Sequence, residues 1–175
     1  MNEEVVLVDE KDSVVGFMEK MEAHQLGLLH RAFSVFVFNS KGELMLQQRA
    51  KSKYHSGGLW TNTCCSHPRP NEEVLDAATR RLDEEMGFSC ELEVQFSFVY
   101  KAKLDNELTE HEYDYVLFGY YNDQPNLNPE EATNYKFVSL ENLQKNIEEK
   151  PNEFTEWFKI CLPRVIETVN KRKDL

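Results

Sequence analysis

Residues 61–70, TNTCCSHPRP, place two adjacent cysteines, Cys64 and Cys65, just before a histidine, His67. A thiol has an unperturbed pKa of about 8.5 and can exchange a proton near neutral pH, and an imidazole is a common metal ligand. In an extended segment Cys65 and His67 point to one side and Cys64 to the other. A zinc knuckle is not indicated, because the chain has no Cys-x-x-Cys pair. These residue types allow proton exchange or metal binding, and the segment alone assigns neither.

The acidic stretch that follows, NEEVLDAATRRLDEEMGF, has the apolar spacing of a helix. On that helix Arg81, Glu84 and Glu85 fall within about one third of the circumference. Two carboxylates beside an arginine suit a Mg²⁺ ion that bridges to a diphosphate, because Mg²⁺ takes one or two carboxylates together with phosphate oxygens. A solvated helix face with the ion pairs Arg80–Glu84 and Arg81–Glu85 explains the same pattern. The spacing alone leaves both interpretations open.

Two further segments carry possible metal ligands. His24 and His30 are six residues apart, which does not place them on one face of a helix, and they converge only if a turn separates them. Glu110 and Glu112 precede a predicted strand, and alternate residues of an extended chain share a face. Taken singly, each histidine is more typical of a surface or core position, and the glutamates are typical of a polar loop edge.

Length, composition and charge limit the possible functions. The chain of 175 residues fits one domain, residues 1–175, and its 41% of hydrophobic residues suffice for a core. The net charge of −11 disfavours nucleic acid as a partner, but a small phosphorylated ligand needs only a local basic cluster and a cation. No signal peptide opens the chain, and no apolar run approaches the ~18 residues of a membrane span. These features predict a cytoplasmic protein with reduced thiols and no membrane segment.

The elements that must position these residues follow the order strands, helix, strands, helices. Apolar alternation predicts strands over 5–9, 32–38, 43–49, 91–101, 113–121 and 137–138. Helical spacing predicts helices over 71–86, 140–148 and 153–170, with a short helix or turn over 18–24. Residues 39–42, NSKG, predict a hairpin turn, and residues 50–70 predict a long ordered loop. The predicted fold class is α+β, an α/β/α sandwich around a mixed sheet.

The acidic helix resembles the Nudix box, in which a glycine is followed at fixed spacing by a glutamate and then by Arg-Glu-apolar-x-Glu-Glu-x-Gly. The chain agrees with that pattern at Glu72, Arg80, Leu82, Glu84, Glu85 and Gly87. It departs at Ser66, where the box has its first glycine, and at Arg81, where the box has a glutamate. The resemblance implies a Nudix-type mixed β-sheet flanked by helices. Nudix hydrolases use the box carboxylates to hold metals that activate water, so Arg81 favours holding a diphosphate without cleaving it.

Four segments in order, EKMEAH, LLHRAFS, WTNTCCSHP and EHE, resemble the type 1 isopentenyl diphosphate isomerases, a branch of the Nudix superfamily, from about Lys20 to Trp157. The resemblance implies that one divalent metal is held by five side chains: His24, His30, His67, Glu110 and Glu112. Three imidazoles and two carboxylates suit Zn²⁺ or Mn²⁺, and Mg²⁺ less well. A second metal, Mg²⁺, is expected to bridge Glu85 to the diphosphate of the substrate. The cations that align with the diphosphate-binding residues of the family are Lys20, Arg49, Lys53 and Arg81.

The implied reaction converts isopentenyl diphosphate to dimethylallyl diphosphate through a tertiary carbocation, by adding a proton at C4 and removing one from C2. The expected acid is Glu112 with Tyr100 beside it. Cys65 is expected on the opposite face of the substrate, so Cys64 is assigned a structural role. Trp157 is expected to lay its ring over the carbocation, because cation–π attraction stabilises a cation without reacting with it. Without the resemblance, Trp157 would be assigned to core packing on an amphipathic helix.

The leading prediction is an isomerase of isoprenoid biosynthesis that acts on a small isoprenoid diphosphate as a monomer. A metal-dependent diphosphate hydrolase on the same fold is the second candidate. Arg81 counts against it, as does the pairing of Cys65 with Glu112, which hydrolysis does not need. A non-catalytic module that binds a metal or a phosphorylated ligand is the third. The remaining histidines, His55 and His111, have no assigned role and are expected to be solvated.

Overall fold

The computed structural model describes residues 3–173, and within them nine strands form one mixed sheet between helices. The strands are β1 (Glu4–Val8), β2 (Val14–Glu19), β3 (His30–Phe38), β4 (Leu44–Arg49), β5 (Trp60–Thr61), β6 (Cys64–Ser66), β7 (Leu92–Lys103), β8 (Thr109–Tyr120) and β9 (Ala132–Val138). The helices are α1 (Lys20–Leu26), α2 (Val74–Met86), α3 (Leu140–Glu149) and α4 (Glu156–Lys173), with a 3₁₀ turn at Pro151–Glu153.

Strand β3 is central to the sheet. It pairs in parallel with β8 along all nine of its residues, and on its other side it pairs antiparallel with β6. Side-chain alternation sends Phe33 and Val35 to one face of the sheet and Phe36 and Phe38 to the other. The first pair joins the apolar layer under α2, and the second joins the layer under α4. The predicted α+β sandwich is therefore confirmed.

Helices α2 and α4 cover the two faces of the sheet with apolar side chains, although Leu75, which helical spacing places on the apolar face of α2, is exposed. In α2 the buried apolar residues are Ala77, Ala78, Leu82 and Met86. In α4 they are Trp157, Phe158, Cys161, Leu162 and Val165. Burial of side chains of this size stabilises the fold by about 1.5–3 kcal/mol each for the larger ones. In the part of the chain described here, no helix combines the length and the apolar character needed to cross a membrane.

Helix α2 begins later than predicted and ends where predicted. It begins at Val74 because Asn71 has a φ of 62° and Glu73 is extended, with a ψ of 145°, and neither conformation is helical. It ends at Met86, where Gly87 takes a φ of 69°. A Cβ at this position would lie 2.0 Å from the backbone oxygen of Asn126, so the turn requires glycine. This end fixes the position of the two carboxylates of the last turn.

The sequence patterns miss β2, β5 and β6 and most of β9. The prediction of an unbroken loop over residues 50–70 is wrong, because β5 and β6 lie within it and pair with β4 and β3. These strands have only two and three residues, too few to show apolar alternation. Strand β9 begins at Ala132 rather than at residue 137, because pairing with β4 specifies it more than its own sequence does.

The register of β6 on β3 separates the two adjacent cysteines. Cys65 lies opposite Ser34, and Cys64 lies opposite Val35. Successive residues of a strand point to opposite faces of the sheet. Cys64 is fully buried in the layer under α2, whereas Cys65 packs beside the layer under α4. The predicted opposite orientation of the two side chains is therefore confirmed.

Candidate active site

A cavity of about 110 Å³ collects most of the chemically active side chains that the sequence singles out. Eleven of the thirteen candidate residues line it: Lys20, Arg49, Lys53, Cys65, His67, Arg81, Glu85, Tyr100, Glu110, Glu112 and Trp157. The other two, His24 and His30, are fully buried beside His67. Residues from α1, β3, β6, α2, β8 and α4 thus converge at one place, although they are scattered over most of the chain.

Three buried histidines at the cavity, His24, His30 and His67, turn their Nε2 atoms toward one another. The Nδ1 atoms of His24 and His30 donate hydrogen bonds to backbone carbonyls, those of Lys20 at 2.7 Å and Leu28 at 2.8 Å. In the neutral ring Nε2 then carries the lone pair. The Nε2 of His24 is buried and has no hydrogen-bond partner, and the Nε2 atoms of His30 and His67 lie 3.3 Å apart. The turn at residue 27 brings His24 and His30 together, as the sequence requires for a shared site.

Glu112 completes this group. Its Oε1 lies 3.0 Å from the Nε2 of His67 and 3.5 Å from the Nε2 of His30. The Nε2–H of His67 can donate to only one of two acceptors, Nε2 of His30 or Oε1 of Glu112. This group of side chains therefore has more lone pairs than hydrogens. Potential ligand atoms of His24, His30, His67 and Glu112 all lie within 4.8 Å of one another. Converging acceptors with too few donors are what a divalent cation satisfies, so these residues fit a metal.

Glu110 lies next to this group on the same face of β8, as alternation predicts. Tyr100 lies on the neighbouring strand β7 and donates its hydroxyl hydrogen to Oε2 of Glu112 at 2.7 Å. The hydroxyl oxygen of Tyr100 also lies 3.0 Å from Oε2 of Glu110. A phenol has one hydrogen, so the second contact is satisfied when Glu110 carries a proton. Tyr100 therefore connects the two carboxyl groups directly.

The two carboxyl groups have opposite pKa shifts. Burial and the charge of Glu112 raise the pKa of Glu110 well above its usual range. Burial also opposes ionisation of Glu112, but its contacts with His30 and His67 outweigh burial and hold the pKa of Glu112 well below its usual range. Burial, followed by the charges of His67 and His30, lowers the pKa of His24 to about 4. The two shifts favour a proton on Glu110 and the ionised form of Glu112.

On the other side of β3, the thiol of Cys65 is surrounded by polar atoms. The Nε1 of Trp157 donates to Sγ at 3.2 Å, and Sγ donates to the side-chain oxygen of Asn62 at 3.0 Å. Burial and the charge of Asp114 raise the pKa of the Cys65 thiol. Trp157 is only 3% exposed and packs in the core under α4, so its packing role and its contact with the cavity coexist.

The cations predicted to hold a diphosphate lie around the cavity mouth with two acidic partners that the sequence does not single out. Glu131 accepts from Lys53 at 2.6 Å and from Arg81 at 3.2 Å. Glu3 accepts from Lys20. Glu3 and Glu131 stand in no motif and reach the site only through the fold, so no sequence signal could have identified them. A diphosphate entering this cluster would compete with both carboxylates for the same cations.

Arg81 also pairs with both box carboxylates. It donates to Oε2 of Glu84 at 2.6 Å and to Oε1 of Glu85 at 2.7 Å. Glu85 is 5% exposed and also accepts from Gln47 at 2.9 Å. Both helix pairs expected from the sequence, Arg80–Glu84 and Arg81–Glu85, are present. Of the two carboxylates, only Glu84 lies on a solvated face of the helix, because Glu85 points into the cavity.

The expectation that His55 is solvated is wrong. Its side chain is buried, because the ring packs edge-on against Trp157 with the ring centres 5.6 Å apart and lies 6.0 Å from the ring of His24. Potential ligand atoms of His24, His55 and Glu110 also lie within 4.8 Å of one another. His111 is partly buried and donates from Nδ1 to the carbonyl of Gly27 at 3.1 Å. The sequence gives no signal for His55, because the contacts that bury it come from distant segments.

The environment of His55 makes stability depend on pH. Burial, followed by the charge of Arg49, lowers its pKa from 6.5 to about 2. The unfolded chain therefore takes up a proton below about pH 6.5 and the folded chain does not, so this contribution to stability is present above that pH and is lost as the pH falls. Between about pH 7.5 and about pH 5, we expect the free energy of unfolding of the wild type to fall by about 2 kcal/mol more than that of His55→Gln.

Urea unfolding of both proteins after chelator treatment, at the two pH values, measures this difference. The His55→Gln variant is the matched control, because all other titrating groups are common to both chains. Equal changes in the two proteins would contradict a neutral, buried His55.

Comparison with known proteins assigns residues 28–158 to the NUDIX domain. The isopentenyl-diphosphate Delta-isomerase 2 of Aromatoleum aromaticum is 57% identical over 166 residues, which are 95% of this chain and 88% of the relative. The isopentenyl-diphosphate Delta-isomerase of Pectobacterium atrosepticum is 52% identical over 162 residues, 93% of this chain and 90% of the relative. A solved structure from Deinococcus radiodurans is 18% identical, with a TM-score of 0.76 over 93% of this chain and 98% of its own, and this likeness concerns the fold alone.

The chain therefore belongs to the NUDIX family, the class of protein that the sandwich fold and the carboxylate helix define. Within that class it belongs to the isopentenyl-diphosphate Delta-isomerase family, because relatives with this name share more than half of their aligned residues with it over most of its length. The resemblance carried by the four ordered sequence segments is confirmed.

Proposed function

We propose that this chain converts isopentenyl diphosphate to dimethylallyl diphosphate, with Cys65 and the Tyr100–Glu112 pair as the two proton-exchanging groups. One observation carries the proposal: both groups line one cavity, and they come from strands on opposite sides of β3. Moving a double bond in this way requires one proton to be added and another removed at separate carbons. Hydrolysis needs no such pair.

The metal centre that we propose consists of His24, His30, His67, Glu110 and Glu112. The unpaired Nε2 of His24 and the shortage of hydrogens around Glu112 support a divalent cation at this place. Three imidazoles and two carboxylates favour Zn²⁺ or Mn²⁺ over Mg²⁺. When bound, the cation supplies positive charge that orients these acceptors and favours the ionised carboxylates. We infer that Glu85 holds Mg²⁺ together with the substrate diphosphate.

We infer that the Tyr100–Glu112 pair delivers a proton to C4 and that Cys65 takes a proton from C2. Glu112 ends this step ionised, and Tyr100, which hydrogen-bonds to it at 2.7 Å, is placed to pass the proton. Cys65 ends it as a neutral thiol. The raised pKa of Cys65 favours the neutral thiol, and the lowered pKa of Glu112 favours the carboxylate, which are the forms present at the end of this step. The reverse reaction starts from them.

The carbocation between the two steps needs stabilisation and protection from water. Trp157 can supply the first, since the guanidinium of Arg49 already lies 5.1 Å from the centre of its ring, which supports a ring face that accepts a cation. The deep burial of Trp157, Tyr100 and His55 supports a cavity floor that excludes water. We infer that the carbon chain lies between the Trp157 ring and the Tyr100–Glu112 pair.

A heavy-water assay tests the proposed function. The protein is incubated with isopentenyl diphosphate and Mg²⁺ in D₂O, with Zn²⁺ or Mn²⁺ added. Dimethylallyl diphosphate that carries deuterium supports the isomerase. Released phosphate without isomerisation supports the hydrolase, and recovery of the unchanged substrate supports a binding module. The last two outcomes contradict the proposal.

We propose that Arg81 holds the diphosphate. Arg81→Gln should weaken the binding of inorganic pyrophosphate with Mg²⁺ by about tenfold to hundredfold, because it removes a charge-assisted hydrogen bond donor from the cation cluster. Isothermal titration calorimetry measures the change. Arg80→Gln is the control: Arg80 has a similar side-chain exposure, 20% against 16%, but it pairs with Glu72 and Glu84 outside the cavity. Equal losses in both variants would contradict the assignment.

We also infer one domain and an active monomer. The continuous sheet supports the first, because the apolar layers on both faces are shared by segments from throughout the described chain. The second is supported by the origin of the proposed site, since all of its residues come from this one chain. Activity that is proportional to protein concentration, without a lag on dilution, would support the monomer.

A further inference from the structure

Asn62, a residue without a role in the proposed mechanism, is fully buried beside the thiol of Cys65. Its side-chain nitrogen donates to the carbonyls of Val35 at 3.0 Å and Cys64 at 3.1 Å. Both amide hydrogens are therefore used, one on β3 and one on β6. The reversed orientation would place an oxygen against two carbonyls, so the orientation of the amide is fixed.

This orientation aims the amide oxygen of Asn62 at the sulfur. The oxygen accepts from Sγ of Cys65 at 3.0 Å. The nearest competitor is the hydroxyl oxygen of Ser34 at 3.6 Å, and that hydroxyl donates its own hydrogen to Asp114 at 2.8 Å. Trp157 donates to the sulfur from another direction at 3.2 Å. Sγ thus has one fixed donor and one close fixed acceptor, which together set the direction of its S–H bond.

The same oxygen connects the thiol to the helix that carries Trp157. It accepts a second hydrogen bond, from the hydroxyl of Thr61 at 2.9 Å, and the hydroxyls of Thr61 and Thr155 lie 2.8 Å apart. Because Thr61 donates to Asn62, Thr155 donates to Thr61. The backbone N–H of Thr155 also binds the carbonyl of Trp60 at 3.0 Å. Thr155 directly precedes α4, so this chain of bonds sets the distance between Cys65 and the aromatic ring.

We propose that Asn62 is a positioning residue for the Cys65 thiol. It directs the S–H bond through its amide oxygen, and it fixes the sulfur relative to the Trp157 ring through Thr61 and Thr155. This inference rests on the proposed function of Cys65. Misplacement of a reacting group by about 1 Å costs on the order of a hundredfold in rate, so loss of the amide should reduce kcat while substrate binding at the cation cluster is kept.

The first test measures the thiol itself and needs no substrate. The S–H stretching band of Cys65 is assigned in the Raman spectrum of the wild type by its absence from Cys65→Ala. A band at the position of a hydrogen-bonded thiol is expected, with a shift toward the free-thiol position in Asn62→Ala. A free-thiol band in the wild type overturns the proposal, whether or not any variant folds.

The second test compares the kinetics of three variants. In Asn62→Ala, kcat should fall about a hundredfold with KM changed less than about threefold. Asn62→Asp keeps an acceptor oxygen for the thiol but places its second oxygen against the carbonyls of Val35 and Cys64, so it should recover little of the loss. The control is Thr63→Val in the same segment, because Thr63 is equally buried and binds the backbone of Val37 and Met45 but does not touch the thiol.

Thr63→Val should lower the unfolding temperature and leave kcat within about threefold of the wild type. An equal loss of kcat in Thr63→Val and Asn62→Ala overturns the proposal, because it would reduce Asn62 to a structural role. If the proposed function is wrong, the wild type will not isomerise the substrate at all. The thiol band would still decide whether Asn62 holds Cys65, so the two failures can be told apart.

Discussion

Glu112→Gln is expected to reduce kcat by about 10³–10⁴-fold. The amide cannot accept a proton, and it removes the negative charge that faces the Nε2 atoms of His30 and His67 at 3.5 and 3.0 Å. It also deprives the Tyr100 hydroxyl of its charged partner at 2.7 Å. Deuterium incorporation measures the rate, and metal analysis of the purified variant should show a reduced divalent metal content.

A matched control for this substitution lies two residues further along the same strand. Asp114 is also buried on β8, and burial followed by the charge of Glu112 raises its pKa well above its usual range. Asp114 does not line the cavity, and Asp114→Asn keeps the size of the side chain and an acceptor for the Ser34 hydroxyl, so it should reduce kcat less than about tenfold. A large loss from Asp114→Asn with a small loss from Glu112→Gln would reverse the assignment.

Cys65→Ala is expected to lower kcat by at least about 10³-fold while the fold and the metal content are kept. The variant loses the group that we propose to take the proton from C2, but its sulfur is not among the atoms that converge on the histidine group. Circular dichroism and metal analysis check the fold and the metal, and deuterium incorporation checks the rate.

The neighbouring cysteine provides the control. Cys64 is fully buried in the layer under α2, so Cys64→Ala should lower the free energy of unfolding by about 1–2 kcal/mol and leave kcat almost unchanged. A loss of turnover in Cys64→Ala that equals the loss in Cys65→Ala would contradict the choice between the two thiols.

The sequence predicts those parts of the site that depend on local spacing. Alternation alone places Glu110 and Glu112 on one face, and helical spacing alone brings Arg81 to Glu85. It also predicts α2 and its end at residue 86, because a glycine with positive φ follows an amphipathic pattern. Each of these features extends over fewer than about twenty residues, which is the range over which a repeating pattern can be recognised.

The parts that the sequence does not predict depend on pairing between distant segments. Strand β6 has three residues and exists because β3 offers it a partner. Glu131 reaches Arg81 from fifty residues away, and His55 is buried by Trp157 from the last helix. The functional roles of the site residues come from the family resemblance, since elementary patterns left surface or core interpretations open for the histidines and for Trp157.

Because β6 pairs with β3 in one register, the number of residues between Asn62 and His67 cannot change without moving side chains out of the site. A slip by one residue would still present a sulfur atom to the cavity, that of Cys64, but it would turn the imidazole of His67 away from its partners. The doubled cysteine therefore offers no spare copy of the reactive group. Insertions or deletions within residues 62–67 should be far more damaging than substitutions at Cys64. They would prevent the thiol and the imidazole of His67 from reaching their places at the same time.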